Sequence, residues 1–187
     1  SLWQVLNSAI PFFVLWYLAY RSLEIGYWLT FLVTIPAAGF MVRMFIIFHD
    51  CCHGSFFRTP LANNRLGLLL GAAVWTPYYA WKHSHAIHHA TAGDLDRRGI
   101  GDVYTMTVEE YLAASWYKKF GYRVMRSPII LFTVGALIVF VFGHRFWEKN
   151  AGTREKNSVV WTNIALFAFV GWTVYHIGWQ AYLLVEI

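Results

Sequence analysis

The chain has 187 residues, of which 58% are hydrophobic, 19% aromatic and only 13% charged, about half the charged share of a water-soluble domain. With a mean hydropathy of +0.43 and apolar residues gathered in blocks, this excludes an ordinary soluble core and points to an all-α integral membrane protein. The 15 Lys and Arg against 10 acidic residues give +5, and nothing in their placement suggests a nucleic-acid partner. Cys51 and Cys52 are adjacent, a spacing that strains a disulfide, so both are read as reduced thiols.

In chain order, Leu2–Tyr20 nearly supplies the roughly 20 apolar residues that a transmembrane helix needs, with Trp3, Trp16, Tyr17 and Tyr20 suited to the membrane interfaces. A short turn, Arg21–Gly26, leads into Tyr27–Phe48, so 2–48 reads as a transmembrane hairpin. Pro36, Gly39 and Arg43 interrupt the second span. Arg43 precedes His49 by six residues, about 9 Å along a helix, close enough to snorkel to the interface or to hold a lipid headgroup. Residues 49–127 are mixed and polar and are expected to lie at one membrane face. Within them, Leu66–Trp75 is apolar for only ten residues, about 15 Å of helix, too short to cross. Thr59 and Pro60 mark its start as N-cap and first helical residue. Thr107-Val108-Glu109-Glu110 is a capping box opening a second interfacial helix, with Lys118 and Lys119 at its far end and Gly121 to terminate it.

Residues 128–187 hold further membrane segments. Ile129–Phe142 is only 14 residues long. Thirteen of the 15 basic residues fall between Arg58 and Lys156, four of them in the loop 144–157. Because basic loops favour the cytoplasmic side, Ile129–Phe142 is expected to be half-embedded rather than crossing. Val159–Gly178 is expected to cross, and another apolar run starts at Ala181.

Six of the eight histidines lie between His49 and His89. His49 and His53 are four apart, which on a helix puts both imidazoles on one face. His85 pairs with His88 and His89 at three and four residues, while His88 and His89 diverge by about 100° around the axis and so suit two different ions. Five imidazoles in two helical clusters make a dinuclear metal site the natural reading. His83, His144 and His176 are out of step or out of place and are read as bystanders. Imidazole suits Zn, Fe, Cu and Ni alike. His49-Asp50-x-x-His53 has zinc-protease spacing, but Asp50 stands where that pattern needs the longer Glu. An apolar substrate at the membrane edge calls for activation of an unreactive C–H bond, which needs an oxygen-activating metal; a dinuclear iron site suits that task.

The stretches HDCCHGSFFR (His49–Arg58) and WKHSHAIHHATAGDLDRRGIGDVYTMTVEEY (Trp81–Tyr111) resemble the first and second histidine boxes of the membrane-bound fatty acid desaturases, closest to bacterial and cyanobacterial acyl-lipid enzymes of the omega-6 (Δ12) type. The resemblance implies transmembrane helical hairpins with short interfacial helices and a cytoplasmic-face histidine-box region, in a bacterial inner or cyanobacterial membrane. It implies two irons held by His49, His53, His85, His88 and His89, with O2 as co-substrate and a cis double bond introduced into a lipid-linked fatty acyl chain. Electrons would come from ferredoxin or a cytochrome b5-type donor. By position, Asp50, Asp94 and Asp96 are candidates to support the ligands, and Trp75, Tyr78 and Tyr79 to line the acyl channel; Arg97 and Arg98 follow the second box. The third HxxHH box of the pattern does not occur in these residues. The chain therefore reads as a partial desaturase domain, 1–187, of a longer protein, expected alone neither to load two irons stably nor to desaturate. A related di-iron hydroxylase or ketolase acting on alkanes, sterols or carotenoids is the alternative. A His-rich metal transporter or haem-binding carrier is more remote, because the histidines sit at a helix end and in a polar segment rather than at the bilayer midplane.

Overall fold

A computed structural model describes residues 1–99 and 103–186, within which every regular element is helical. Ile100, Gly101 and Asp102, in the flank after the second histidine box, lie outside the described residues. The helices are α1 (Leu2–Ser22), α2 (Tyr27–His53), α3 (Pro60–Ala73), α4 (Tyr78–Thr91), α5 (Val108–Ala113), α6 (Trp116–Met125), α7 (Pro128–Arg145), α8 (Thr153–Ile177) and α9 (Trp179–Glu186). Four of these, α1, α2, α7 and α8, are long and apolar enough to cross a membrane, so the chain is an integral membrane protein. Contacts divide it into two compact units, Ser1–Tyr78 with Val160–Ile187, and Tyr79–Val159.

In the first unit α1 and α2 form the expected hairpin. At the turn, the buried hydroxyls of Ser22 and Thr30 are 2.8 Å apart. Toward the other end, Arg43 Nη2 donates to Asn7 Oδ1 at 3.0 Å, and its guanidinium lies over the Phe40 ring. Helix α2 runs without a break from the apolar span through His49 to His53. It stops in a left-handed turn at Gly54 (φ 71°), where Gly54 N donates to Cys51 O and Ser55 N to Asp50 O; glycine is the residue that takes this conformation without penalty.

Helix α3 starts as expected, with Pro60 in the first turn and Thr59 Oγ1 accepting from Ala62 N at 3.4 Å. Its end has the same pattern as that of α2, with Thr76 N donating to Gly71 O and Trp75 N to Ala72 O. The left-handed position, however, is filled by Trp75 (φ 58°) instead of glycine, a conformation that costs a bulky residue about 1–2 kcal/mol. Gly67 and Gly71 let the next segment close on α3: a Cβ at Gly67 would run into the Tyr78 ring, and one at Gly71 into the Thr76 carbonyl. Tyr78 is fully buried and packs edge-on against Phe48 of α2 at 5.8 Å.

In the second unit the Thr107 capping box forms, with Glu110 N bonded to Thr107 Oγ1 and Thr107 N to Glu110 Oε2. The helix it opens ends at Ala113, and Ser115 starts α6, in which Gly121 is an interior residue rather than a terminator. Helix α7 is also longer than the 14 residues of Ile129–Phe142 predict. Pro128 opens it, two π-helical stretches (Leu131–Gly135 and Ile138–Phe142) continue it, and a last 3₁₀ turn carries it to Arg145, 18 residues in all.

Candidate metal centre

Each histidine pair occupies one helix. In the first unit, His49 Nε2 and His53 Nε2 lie 3.3 Å apart in the last turns of α2, His49 half-buried and His53 exposed. In the second, His85 Nε2 and His89 Nε2 lie 3.0 Å apart on α4, again one half-buried and one exposed. Two nitrogens bound to one ion at about 2.1 Å, at angles between 90° and tetrahedral, are about 3.0–3.4 Å apart. Each pair is therefore already at chelating separation, and all four residues are metal-type donors. At the same distance an N–H on one ring can bond the other, so ligation through both Nε2 atoms of a pair requires each ring to carry its proton on Nδ1. The His88 ring lies close to both on α4, its centroid 5.8 Å from that of His85 and 5.5 Å from that of His89, nearer than a divergence of about 100° around the axis predicts. His83 is exposed on the same helix.

Neighbouring groups orient the imidazoles. His49 Nδ1 lies 3.4 Å from Asp50 Oδ1; an N–H directed there leaves the Nε2 lone pair facing His53. The His85 ring stacks on Trp81, one turn earlier, at 4.1 Å and 18°. Tyr78 donates its phenol to the Cys51 carbonyl at 2.9 Å, within the last turn of α2, and its oxygen is 3.0 Å from Asn64 Oδ1. Asn63, also buried, holds the loop that follows the first pair. Its Oδ1 accepts from Phe57 N at 2.9 Å, and its Nδ2 is 3.2, 2.8 and 3.0 Å from the carbonyls of Gly54, Phe57 and Thr59. Trp81 and Asn63 carry no motif in the sequence; only the four-residue interval from Trp81 to His85 hints at the first.

The other expected residues take varied places. Asp94 caps a short 3₁₀ turn, Leu95–Arg97, accepting from Asp96 N at 3.0 Å and Arg97 Nε at 2.7 Å, and the Arg97 bond holds its carboxyl below the usual range. Asp96 follows on that turn with its backbone engaged by Asp94. Arg98 forks onto Glu110, Nη1 to Oε2 at 2.8 Å and Nη2 to Oε1 at 3.0 Å, and reaches the Thr105 carbonyl at 2.6 Å. Trp75 lines an apolar cavity of about 540 Å³ in the first unit with Phe12, Trp16, Leu69, Phe169 and Trp172, within the size range of ligand pockets. Tyr78 fills the α2–α3 interface instead. Tyr79 donates its backbone N–H to Ser158 Oγ at 3.0 Å, and its ring sits under the Arg154 guanidinium at 3.8 Å.

Comparison with known proteins matches the fatty acid desaturase family over residues 26–186. A fatty acid desaturase of Bacillus subtilis (strain 168) is 49% identical over 186 residues, covering 100% of this chain and 53% of the relative. An sn-1 acyl-lipid omega-3 desaturase (ferredoxin) of Synechocystis is 32% identical over 142 residues, 73% of this chain and 38% of the relative. An oleoyl-12-hydroxylase of Ricinus communis is 32% identical over 80 residues, 43% of this chain and 19% of the relative. The chain thus spans about half the length of the Bacillus relative, and less of the others. No solved structure matches it. A match that runs from the turn after α1 to the end of α9, across both histidine clusters, makes this chain a member of the fatty acid desaturase family.

Proposed function

We propose that this chain carries the first two histidine boxes of an O2-dependent acyl-lipid desaturase, and that His49, His53, His85, His88 and His89 ligate a pair of irons together with residues of a third box outside it. The observation that carries the reading is the pair of helix-borne Nε2 couples, 3.3 and 3.0 Å apart, inside a family match over residues 26–186. Bound there, the irons would supply the oxygen activation that removes two hydrogens from adjacent methylenes of an acyl chain. The protein's own part is positional. Asp50 and Trp81 hold His49 and His85 in ligating orientation, and Tyr78 anchors the helix end that bears His49 and His53. The dry, aromatic wall around Trp75 receives an acyl chain and excludes water from it. Asp94 and Asp96 brace the segment after the second box.

The cytoplasmic face is the side of catalysis in this reading, supported by the thirteen basic residues between Arg58 and Lys156. Ferredoxin or a cytochrome b5-type protein is the electron donor, the former in keeping with the Synechocystis relative's name. The omega-6 (Δ12) position is the regiochemistry proposed. The full-length gene, expressed in a host lacking the product, tests this by mass spectrometry of cellular fatty acids. Loss of two mass units with a Δ12 double bond is expected, and is abolished by His53→Ala or His85→Ala. A gain of sixteen units would assign the chemistry of the hydroxylase relative instead.

A further inference from the structure

Helix α6 has two distinct sides. On one, Tyr122 packs against Tyr111 at 5.8 Å and receives Met106 N–H at 3.3 Å, while Arg126 lies over the Tyr122 ring. On the other, Trp116, Tyr117, Phe120 and Val124 form one stripe at helical spacing, with Trp116 79% and Phe120 64% exposed. Three cations border that stripe. Lys119 Nζ donates to Leu112 O at 2.9 Å and Arg123 Nε to the Tyr111 hydroxyl, which fixes both at one edge while leaving further N–H donors on each; Lys118 lies toward the other edge. From Trp116 to Arg126 there are four basic residues and no acidic one.

The position of this helix in the chain fixes its surroundings. Only Arg126 and Ser127 separate α6 from α7, an 18-residue helix apolar enough to cross a membrane, whose first turns expose Ile129 and Phe132. A helix joined so closely to a span lies at headgroup level, where Trp and Tyr are favoured. There an apolar stripe flanked by Lys and Arg sinks to the acyl boundary with its charges among the headgroups. A zwitterionic surface would satisfy the aromatic stripe but give the uncompensated positive charge no counterion.

We propose that the outer face of α6 is a docking surface for anionic phospholipid, with Lys118, Lys119 and Arg123 holding phosphodiester headgroups and Trp116 and Phe120 entering the acyl layer. The proposal is independent of the metal chemistry. It is tested by equilibrating the purified chain with equal amounts of dioleoylphosphatidylglycerol and dioleoylphosphatidylcholine in mixed micelles, then quantifying retained lipid by mass spectrometry after gel filtration. Phosphatidylglycerol is expected to be enriched, and raised salt to reduce the enrichment. The K118Q/K119Q/R123Q variant should lower it by about fivefold per cation removed, whereas R58Q/R65Q, a charge loss elsewhere, should leave it unchanged. Equal retention of the two lipids, insensitivity to salt, or an equal drop in both variants would overturn the proposal. So would conversion of a dimer to a monomer by W116S/F120S, which would assign the face to a second copy of the chain.

Discussion

Tyr78 is the clearest case of one side chain fixing several elements. Its ring fills the notch that Gly67 leaves on α3 and meets Phe48 of α2, and its hydroxyl caps a carbonyl in the turn that carries His53. Tyr78→Phe keeps the ring and removes only the hydroxyl, and with it the bond to Cys51 O. The expected cost is about 1 kcal/mol, or about 3 °C in Tm for a chain of this size, measured by thermal unfolding in detergent. An unchanged Tm would show that this hydrogen bond contributes nothing. At this scale the metal-type spacings of His49/His53 and His85/His89 were legible because chelation by neighbours on a helix is a local property of the chain. The buried role of Tyr78 was not: a tyrosine beside a membrane segment also suits a channel wall, and only the close approach at Gly67 decides between them. Asn63 was invisible for the same reason, since its four partners come from a loop that leaves no periodic signal.

Among elements, the segment after the second box is held by charge and capping together. Glu110 serves both the Thr107 N-cap and the Arg98 fork, and the Arg98 hydrogen bond, followed by the Thr107 amide, holds its carboxyl below the ordinary range. A carboxyl whose folded pKa is depressed stabilises the fold above its unfolded value of about 4.3 and loses that contribution as pH falls through the lower folded value. Protection of the Thr107 and Glu110 amides from hydrogen exchange, relative to the intrinsic rate, should therefore fall below about pH 4 in the native chain, and already at neutral pH in Glu110→Gln. Exchange independent of both would remove the ion pair from the account. The capping box itself was readable, because it is a four-residue signature with a fixed geometry. The break at Ala114–Ser115 was not, since a serine inside a helical pattern is read as tolerated until its backbone turns extended. Helix α7 was underestimated because counting apolar residues stops at Gly143, whereas backbone hydrogen bonding continues through His144 to Arg145.

For the molecule as a whole, α7 is long enough to cross, but the chain behind it returns to α4. An 18-residue helix is about 27 Å long, close to the roughly 30 Å of a hydrocarbon core, yet Arg154 and Ser158 meet Tyr79 at the start of α4. In a background free of Cys51 and Cys52, a cysteine at Thr153 should therefore react with an impermeant reagent from the same face as one placed at Ser115. Reaction from the opposite face would make α7 a full crossing. The all-helical class and the first hairpin followed from composition and block length, which suffice where the solvent is lipid. Which short helices lie flat depends on packing that hydropathy does not encode. Helix α2 shows what such a rod does once formed. Its 27 residues extend about 40 Å, some 10 Å beyond the acyl layer, and the surplus is the tip bearing His49 and His53. A thicker bilayer draws that tip inward and a thinner one lifts it out, with the two imidazoles keeping their mutual geometry. Membrane thickness therefore adjusts the height of the first histidine pair above the lipid without altering the pair itself.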